Sequence, residues 1–253
     1  MTLGPRPIGI LSGLGPLAGS DVLGKLLEHA AARYGAVEDS EYPDVVLVSH
    51  GIQDFDMTGP VSVPFRDELI GIVEELERHQ PAVLGIACNT AHLCLDALRE
   101  HTTARVIDLI TAVADEAAAQ PHRYLLLSSS TTRSTGLYRR ALEARGVRFS
   151  EVDDSTQAEV DQVVHLVMGN HLSEAAARIT RIVTQWSEPF DAIIAGCTEL
   201  PLALDHSRLR RLYPIIDSNR VLARHLADTW YRAGPIPAQR TATGPVAGNV
   251  AVR

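Results

Sequence analysis

Short apolar runs separated by longer amphipathic stretches recur along the whole 253-residue chain, and this alternation limits the fold more than any other feature. The runs fall at 7–11, 45–49, 83–87, 105–107, 124–128, 147–149, 192–195 and 214–216. Several are continuously apolar, the pattern of a strand covered by helices on both faces. The stretches between them predict helices over 17–34, 65–79, 91–100, 109–119, 134–144, 157–168, 173–186 and 218–231. Strand followed by helix, repeated, implies an α/β protein with mainly parallel sheets.

One segment occurs twice. Leu84-Gly85-Ile86-Ala87-Cys88-Asn89-Thr90-Ala91-His92 and Ile193-Ile194-Ala195-Gly196-Cys197-Thr198-Glu199-Leu200-Pro201 each run from apolar residues through a cysteine into helix-compatible sequence. The repetition implies two similar lobes, with two thiols facing one cleft from opposite sides. The first lobe is expected to span 1–105 plus 214–233, and the second 106–213. Residues 234–253, rich in Pro, Gly, Ala and Thr, read as a disordered tail.

Ligands of parallel α/β sheets bind beyond the carboxyl ends of the strands. That directs attention to four loops, at 12–19, 88–92, 128–134 and 197–199. A net charge of −8 with scattered basic residues argues against nucleic acid or an anionic membrane as partner. The start of the chain lacks a signal-peptide layout, and no apolar stretch approaches spanning length. Three cysteines, Cys88, Cys94 and Cys197, are too few for a disulfide framework, so a reducing cytoplasmic location is expected.

Gly13-Leu14-Gly15-Pro16-Leu17-Ala18 fits a relaxed dinucleotide fingerprint, but the next strand ends Ser49-His50-Gly51 with no acidic residue for a ribose. Pro16 also removes an amide that a pyrophosphate would need. No dinucleotide is therefore expected, although the loop's remaining amides suit a carboxylate. A metal site would need more ligands than Cys88-x-x-x-His92 supplies.

The cysteines carry the sharper chemistry. A thiol titrates within reach of neutrality, and a helix N-terminus can favour its thiolate. Two thiols flanking one carbon can take a proton from one face and return one to the other. His92 stays open as a general base for a single-cysteine reaction. Cys94, one turn further on, reads as a core residue. Ser129, Ser130 and Thr132 form a hydroxyl loop that suits either an anion cradle or a helix cap. Glu199 is placed to tune the adjacent thiol, to contact an ammonium group, or simply to favour the helix dipole.

At Gly13-Leu14-Gly15-Pro16, Cys88-Asn89-Thr90-Ala91-His92 and Gly196-Cys197-Thr198-Glu199 the chain resembles the aspartate/glutamate racemase superfamily, in particular its aspartate racemase-like branch. The resemblance covers nearly everything but the tail. It implies two pseudo-symmetric Rossmann-like α/β/α lobes with the active site between them, and a homodimer. It implies cofactor-independent 1,1-proton transfer by Cys88 and Cys197 on an amino acid or related carboxylate, with no cofactor or metal. Gly13, Leu14, Gly15, Asn89, Thr90, Ser129, Ser130, Thr132, Thr198 and Glu199 would line the substrate site. Aspartate racemases resemble one another in two cations that hold the side-chain carboxylate. By position these correspond here to Met57 and Met168, in Asp56-Met57-Thr58 and Met168-Gly169-Asn170. A buried carboxylate without a partner is costly, so a substrate side chain other than a simple β-carboxylate is expected, unless Arg133 supplies the charge. Two rivals stay open: a lyase or isomerase of the same fold with one essential cysteine, acting on a malonate- or maleate-type acid, and a non-catalytic ligand-binding relative.

Overall fold

The computed structural model describes residues 6–52 and 62–233. Strands β1 (Ile8–Ser12), β2 (Val45–Ser49), β3 (Val83–Ile86) and β4 (Arg105–Val106) form one sheet in the order β2-β1-β3-β4. Strands β5 (Arg123–Ser128), β6 (Arg148–Glu151), β7 (Ala192–Gly196) and β8 (Ile215–Asp217) form a second, in the matching order β6-β5-β7-β8. All strand pairs in both sheets are parallel. In each sheet the winding direction reverses between the first and third strands, the point where parallel sheets bind ligands. The loops that emerge there follow Ser12 and Ile86 in one lobe, and Ser128 and Gly196 in the other.

The central strands β1, β3, β5 and β7 are largely apolar because each face meets helices, whereas the edge strand β6 reads Arg148-Phe149-Ser150-Glu151 and is partly exposed. In the first sheet Ile8, Ile10, Val83 and Ala87 point to a central layer, while Leu11, Leu84, Ile86 and Cys88 point outward. In the second, Tyr124, Leu126, Ala192 and Ile194 face the same central layer, and Leu125, Leu127, Ile193, Ala195 and Cys197 face out. That layer draws on α1 (Pro16–Tyr34), α4 (Leu109–Ala118), α6 (Leu137–Glu143) and α10 (Ser218–Ala233). One core therefore runs through both lobes. Gly85 lets α10 approach β3 closely, since a Cβ there would lie 2.7 Å from Leu226.

Helices α2 (Val63–Glu77) and α3 (Leu95–Arg99) cover the outer face of the first sheet, and α7 (Asp154–Met168), α8 (Leu172–Gln185) and α9 (Leu200–Asp205) that of the second. Among the described residues no helix is long and apolar enough to cross a membrane.

Four details differ from the sequence expectations. Residues 215–217, expected with the first lobe, pair with β7 and complete the second sheet; only α10 returns to pack on α1 and β3. The single helix expected over 91–100 is a 3-10 turn, Thr90–Cys94, followed by α3. That expected over 134–144 begins earlier, as α5 (Ser130–Ser134), and breaks at Gly136, whose φ is +64°. Helix α9 fills the helix-compatible sequence after the second cysteine motif, to which the sequence assigns no span of its own. The tail from 234 onward and Met57 lie outside the described residues.

Candidate active site

Cys88 and Cys197 leave their sheets at equivalent points, one residue or two past β3 and β7. Both are free and buried, 4% and 8% exposed. The second motif continues into Thr198 and Glu199, also buried. Cys197 donates its thiol hydrogen to Glu199 Oε2 at 3.0 Å, and Thr198 Oγ1 donates to the same oxygen at 3.2 Å. Glu199 Oε1 is buried without a partner among the described residues. It lies where a side chain on Gly15 would be: a Cβ there would come within 2.3 Å of it. With φ +31° and a carboxylate against its Cα, Gly15 has no room for a larger residue. Leu14 is buried beside it, and Gly13 abuts the backbone of His50.

The electrostatics reverse one expectation. Helix N-termini were expected to favour thiolates, yet burial pushes Cys88 up to about 12, with the Glu199 charge adding to the effect. Burial also raises Cys197 well above an ordinary thiol, again reinforced by Glu199. The amides of Ala91 and Thr90 at Cys88, and of Glu199 at Cys197, act in the opposite direction and are outweighed. The Cys88 thiol and the Cys197 thiol also feel each other. Burial raises Glu199 itself, against the hydrogen bonds from Cys197 and Thr198 that favour its anion. The resting arrangement is thus two thiols sharing the field of one carboxylate.

Hydroxyls from both lobes meet beside them. Thr90 Oγ1 lies 3.2 Å from Ser129 Oγ and 2.9 Å from Thr132 Oγ1, and Ser129 donates to Thr132 at 3.1 Å. Ser129 also caps α5 by accepting from the Thr132 amide. Asn89 spans the lobes: its Oδ1 accepts from Tyr138, and its Nδ2 donates to Ser218 at 3.4 Å. Ser130 turns elsewhere. Its amide donates to Asp161 Oδ1 at 3.0 Å and its hydroxyl to Oδ2, which fastens the loop to α7. Arg133 is paired with Asp154 at 2.8 Å. Met168, the last residue of α7, is 39% exposed.

His92 is engaged at both ring nitrogens. The Leu109 amide donates to Nε2 at 3.2 Å, which leaves the proton on Nδ1, 2.9 Å from the Cys88 carbonyl oxygen. Burial holds its pKa below the usual imidazole range. A neutral ring with two backbone partners bolts the Cys88 turn to the start of α4. Cys94 packs in the outer core of the first lobe.

Sequence reasoning missed Tyr138, Ser218, Asn219 and Asp161. A signal existed for Ser218 and Asn219, because they open α10 directly after β8, at another strand-to-helix junction.

A sequence profile of the Asp/Glu/Hydantoin racemase family matches residues 11–226. The broad specificity amino-acid racemase RacX of Bacillus subtilis (strain 168) is 25% identical over 224 residues, which cover 88% of this chain and 97% of that protein. The structure of the Picrophilus torridus aspartate racemase superposes with a TM-score of 0.74 at 24% identity, covering 88% of this chain and 94% of that one. A glutamate racemase from Francisella tularensis, solved with D-glutamate, gives 0.64 at 18% identity over 91% of this chain and 83% of its own. Repeated parallel sheets, the two cysteine turns and the profile match over most of the length agree: the chain belongs to the Asp/Glu/hydantoin racemase family of isomerases.

Proposed function

We propose that this chain is a cofactor-independent amino-acid racemase or epimerase in which Cys88 and Cys197 work on opposite faces of the substrate Cα. One observation carries the reading: two buried thiols stand at equivalent strand ends of the two lobes, with the Glu199 carboxylate 3.0 Å from Cys197 Sγ; burial raises both thiols and the Glu199 charge adds to it. Two thiolates beside that anion would be prohibitively repulsive. A thiolate–thiol pair, formed when Glu199 accepts the Cys197 proton and the substrate ammonium offsets the charge, is the state that two-base proton transfer requires. The thiolate takes the Cα proton, the opposite thiol donates its own, and the direction of reaction sets which is which. Acid–base groups so placed contribute about 10²–10⁴-fold to rate.

The Thr90–Ser129–Thr132 hydroxyls hydrogen-bond to one another. A substrate carboxylate entering among them would gain donors already oriented for it, and these would stabilise the charge that builds on it as the carbanion forms. Asn89, Thr198 and the Gly13-Leu14-Gly15 loop complete the lining. Methionine at 57 and 168 supports a substrate whose side chain is not a simple β-carboxylate, and the similarity to a broad-specificity racemase points the same way. A homodimer in the cytoplasm belongs to the reading, on the family resemblance and the free thiols.

The test is incubation of the wild-type protein, Cys88→Ala and Cys197→Ala with a panel of the common L-amino acids, followed by chiral chromatography. Wild type is expected to produce the D-enantiomer of at least one neutral or basic amino acid, and each variant to produce none. Near-full racemisation by either variant rules out the two-thiol scheme. Activity confined to aspartate rules out the substrate reading.

A further inference from the structure

Beneath the Cys197 turn lies a charged cluster that is unusual for an interior. Lys25 on α1 is only 4% exposed. Its Nζ contacts Asp21 at 2.6 Å, Asp217 at 2.9 Å and Asp205 at 3.4 Å. Arg210 reaches the same Asp217 at 2.5 Å and also pairs with Asp205. Lys25 and Asp21 come from the first helix, whereas Asp205, Arg210 and Asp217 come from the end of α9, the turn after it, and β8. The cluster therefore ties α1 to the second lobe.

Burying charge is costly unless the geometry satisfies it, and a lysine in such a place invites the question of what it holds. Asp217 Oδ1 accepts from the Arg220 amide at 3.0 Å, so the cluster fixes the turn from β8 into α10. Asn219 sits in that turn, fully buried. Its Nδ2 has two hydrogens, and both are used. One goes to Asp21 Oδ2 at 2.7 Å, the oxygen that also accepts from Lys25. The other goes to the carbonyl oxygen of Thr198 at 2.7 Å. Thr198 is the residue after Cys197 and the residue before Glu199. A single amide thus connects the charged cluster to the peptide between the thiol and the carboxylate that accepts its hydrogen.

We infer that Asn219 is a positioning residue for Cys197 and Glu199, and that the buried Lys25 cluster holds it in register across the two lobes. Asn219 touches neither thiol; it acts through the Thr198 carbonyl. Without it that buried carbonyl loses its donor, and the Cys197–Thr198–Glu199 turn loses its tie to α1. The catalytic consequence rests on the two-cysteine reading above, but the positional one does not, and the experiment separates them.

The full-length protein and its Asn219→Ala and Lys25→Met variants are alkylated with iodoacetamide at pH 8, and the peptides containing Cys88, Cys94 and Cys197 are followed by mass spectrometry. Racemisation kinetics are measured on the fastest amino acid of the panel. Asn219→Ala is expected to speed alkylation of Cys197 several-fold and to leave Cys94 unchanged. Its kcat should fall about 10²-fold, the scale of a displacement near 1 Å in a catalytic group, with KM little changed. Lys25→Met should reproduce the change at Cys197. Asn219→Ser, whose shorter side chain has one hydroxyl hydrogen and cannot serve both acceptors, replaces the alanine variant if that does not fold. Unchanged Cys197 alkylation in the Asn219 variants overturns the proposal, as does equal acceleration at Cys94, which would mean general loosening. A Lys25→Met protein with wild-type Cys197 reactivity overturns the part assigned to the cluster. Altered Cys197 reactivity in a protein whose cysteine variants still racemise would reject the two-thiol mechanism and retain the positioning role.

Discussion

Replacing Glu199 by glutamine separates the two things this carboxylate is placed to do. Its Oε2 lies 3.0 Å from Cys197 Sγ. Two unit negative charges at that distance repel by about 5–6 kcal/mol at an effective dielectric near 20. Cys197 and Glu199 therefore share one proton rather than ionising together. Glutamine keeps the shape and leaves an oxygen to accept from the thiol, but it can neither take that proton nor oppose a thiolate. Two effects in opposite directions follow. With the acceptor gone, kcat should fall by about 10²–10⁴-fold, or about 3–5 kcal/mol of barrier. With the charge gone, both thiols become easier to ionise, so Cys88 and Cys197 should alkylate faster than in wild type at a given pH. Racemisation assays and iodoacetamide kinetics between pH 7 and pH 11 read the two effects on one preparation. Lower activity together with greater thiol reactivity is the expected signature. Unchanged kcat would refute the shared proton. A raised KM at constant kcat would make Glu199 a substrate contact only.

Two further outcomes follow from buried groups. His92→Ala leaves the Leu109 amide without its acceptor and should cost about 1–3 kcal/mol in urea unfolding; full stability with complete loss of activity would instead make His92 a chemical participant. The raised thiols make the free protein sensitive to alkali. Unfolded cysteines titrate near about 8.5, whereas folded Cys88 keeps its proton to about 12. Above about 8.5 the unfolded chain binds fewer protons than the folded one, so stability must fall with rising pH, by about 1.4 kcal/mol per unit for each such thiol. Cys88→Ala should lessen that slope between pH 8.5 and pH 9.5, and a slope identical to wild type would contradict the burial of an un-ionised thiol.

The sheets were legible in the sequence because a strand covered on both faces is apolar at every position, and runs such as 192–195 announce this directly. The cysteine turns were legible because the same short pattern occurs twice. Local pattern cannot tell which sheet a short strand joins. The run at 214–216 was placed with the first lobe, whereas Ile215, Ile216 and Asp217 pair with β7. That displacement hid that the junction of β8 with α10, where Ser218 and Asn219 stand, lies beside the Cys197 turn. Nor can it foresee partners far along the chain: Ser130 reads like its neighbours Ser129 and Thr132, yet Asp161 draws it toward α7. The thiol pKa values went the other way for a similar reason. Sequence shows the amides at a helix start, but the dominant desolvation comes from packing that only the fold supplies.

Central to the account are two different thiols acting on the two faces of one carbon. The most direct measurement is racemisation in heavy water, with Cα deuterium followed separately in substrate and product at early times. A proton taken by one thiol and a deuteron delivered by the other predicts product fully deuterated at Cα while the remaining substrate is still protiated. Product that retains the substrate's own proton, or deuterium appearing at equal rates in both enantiomers, would contradict it.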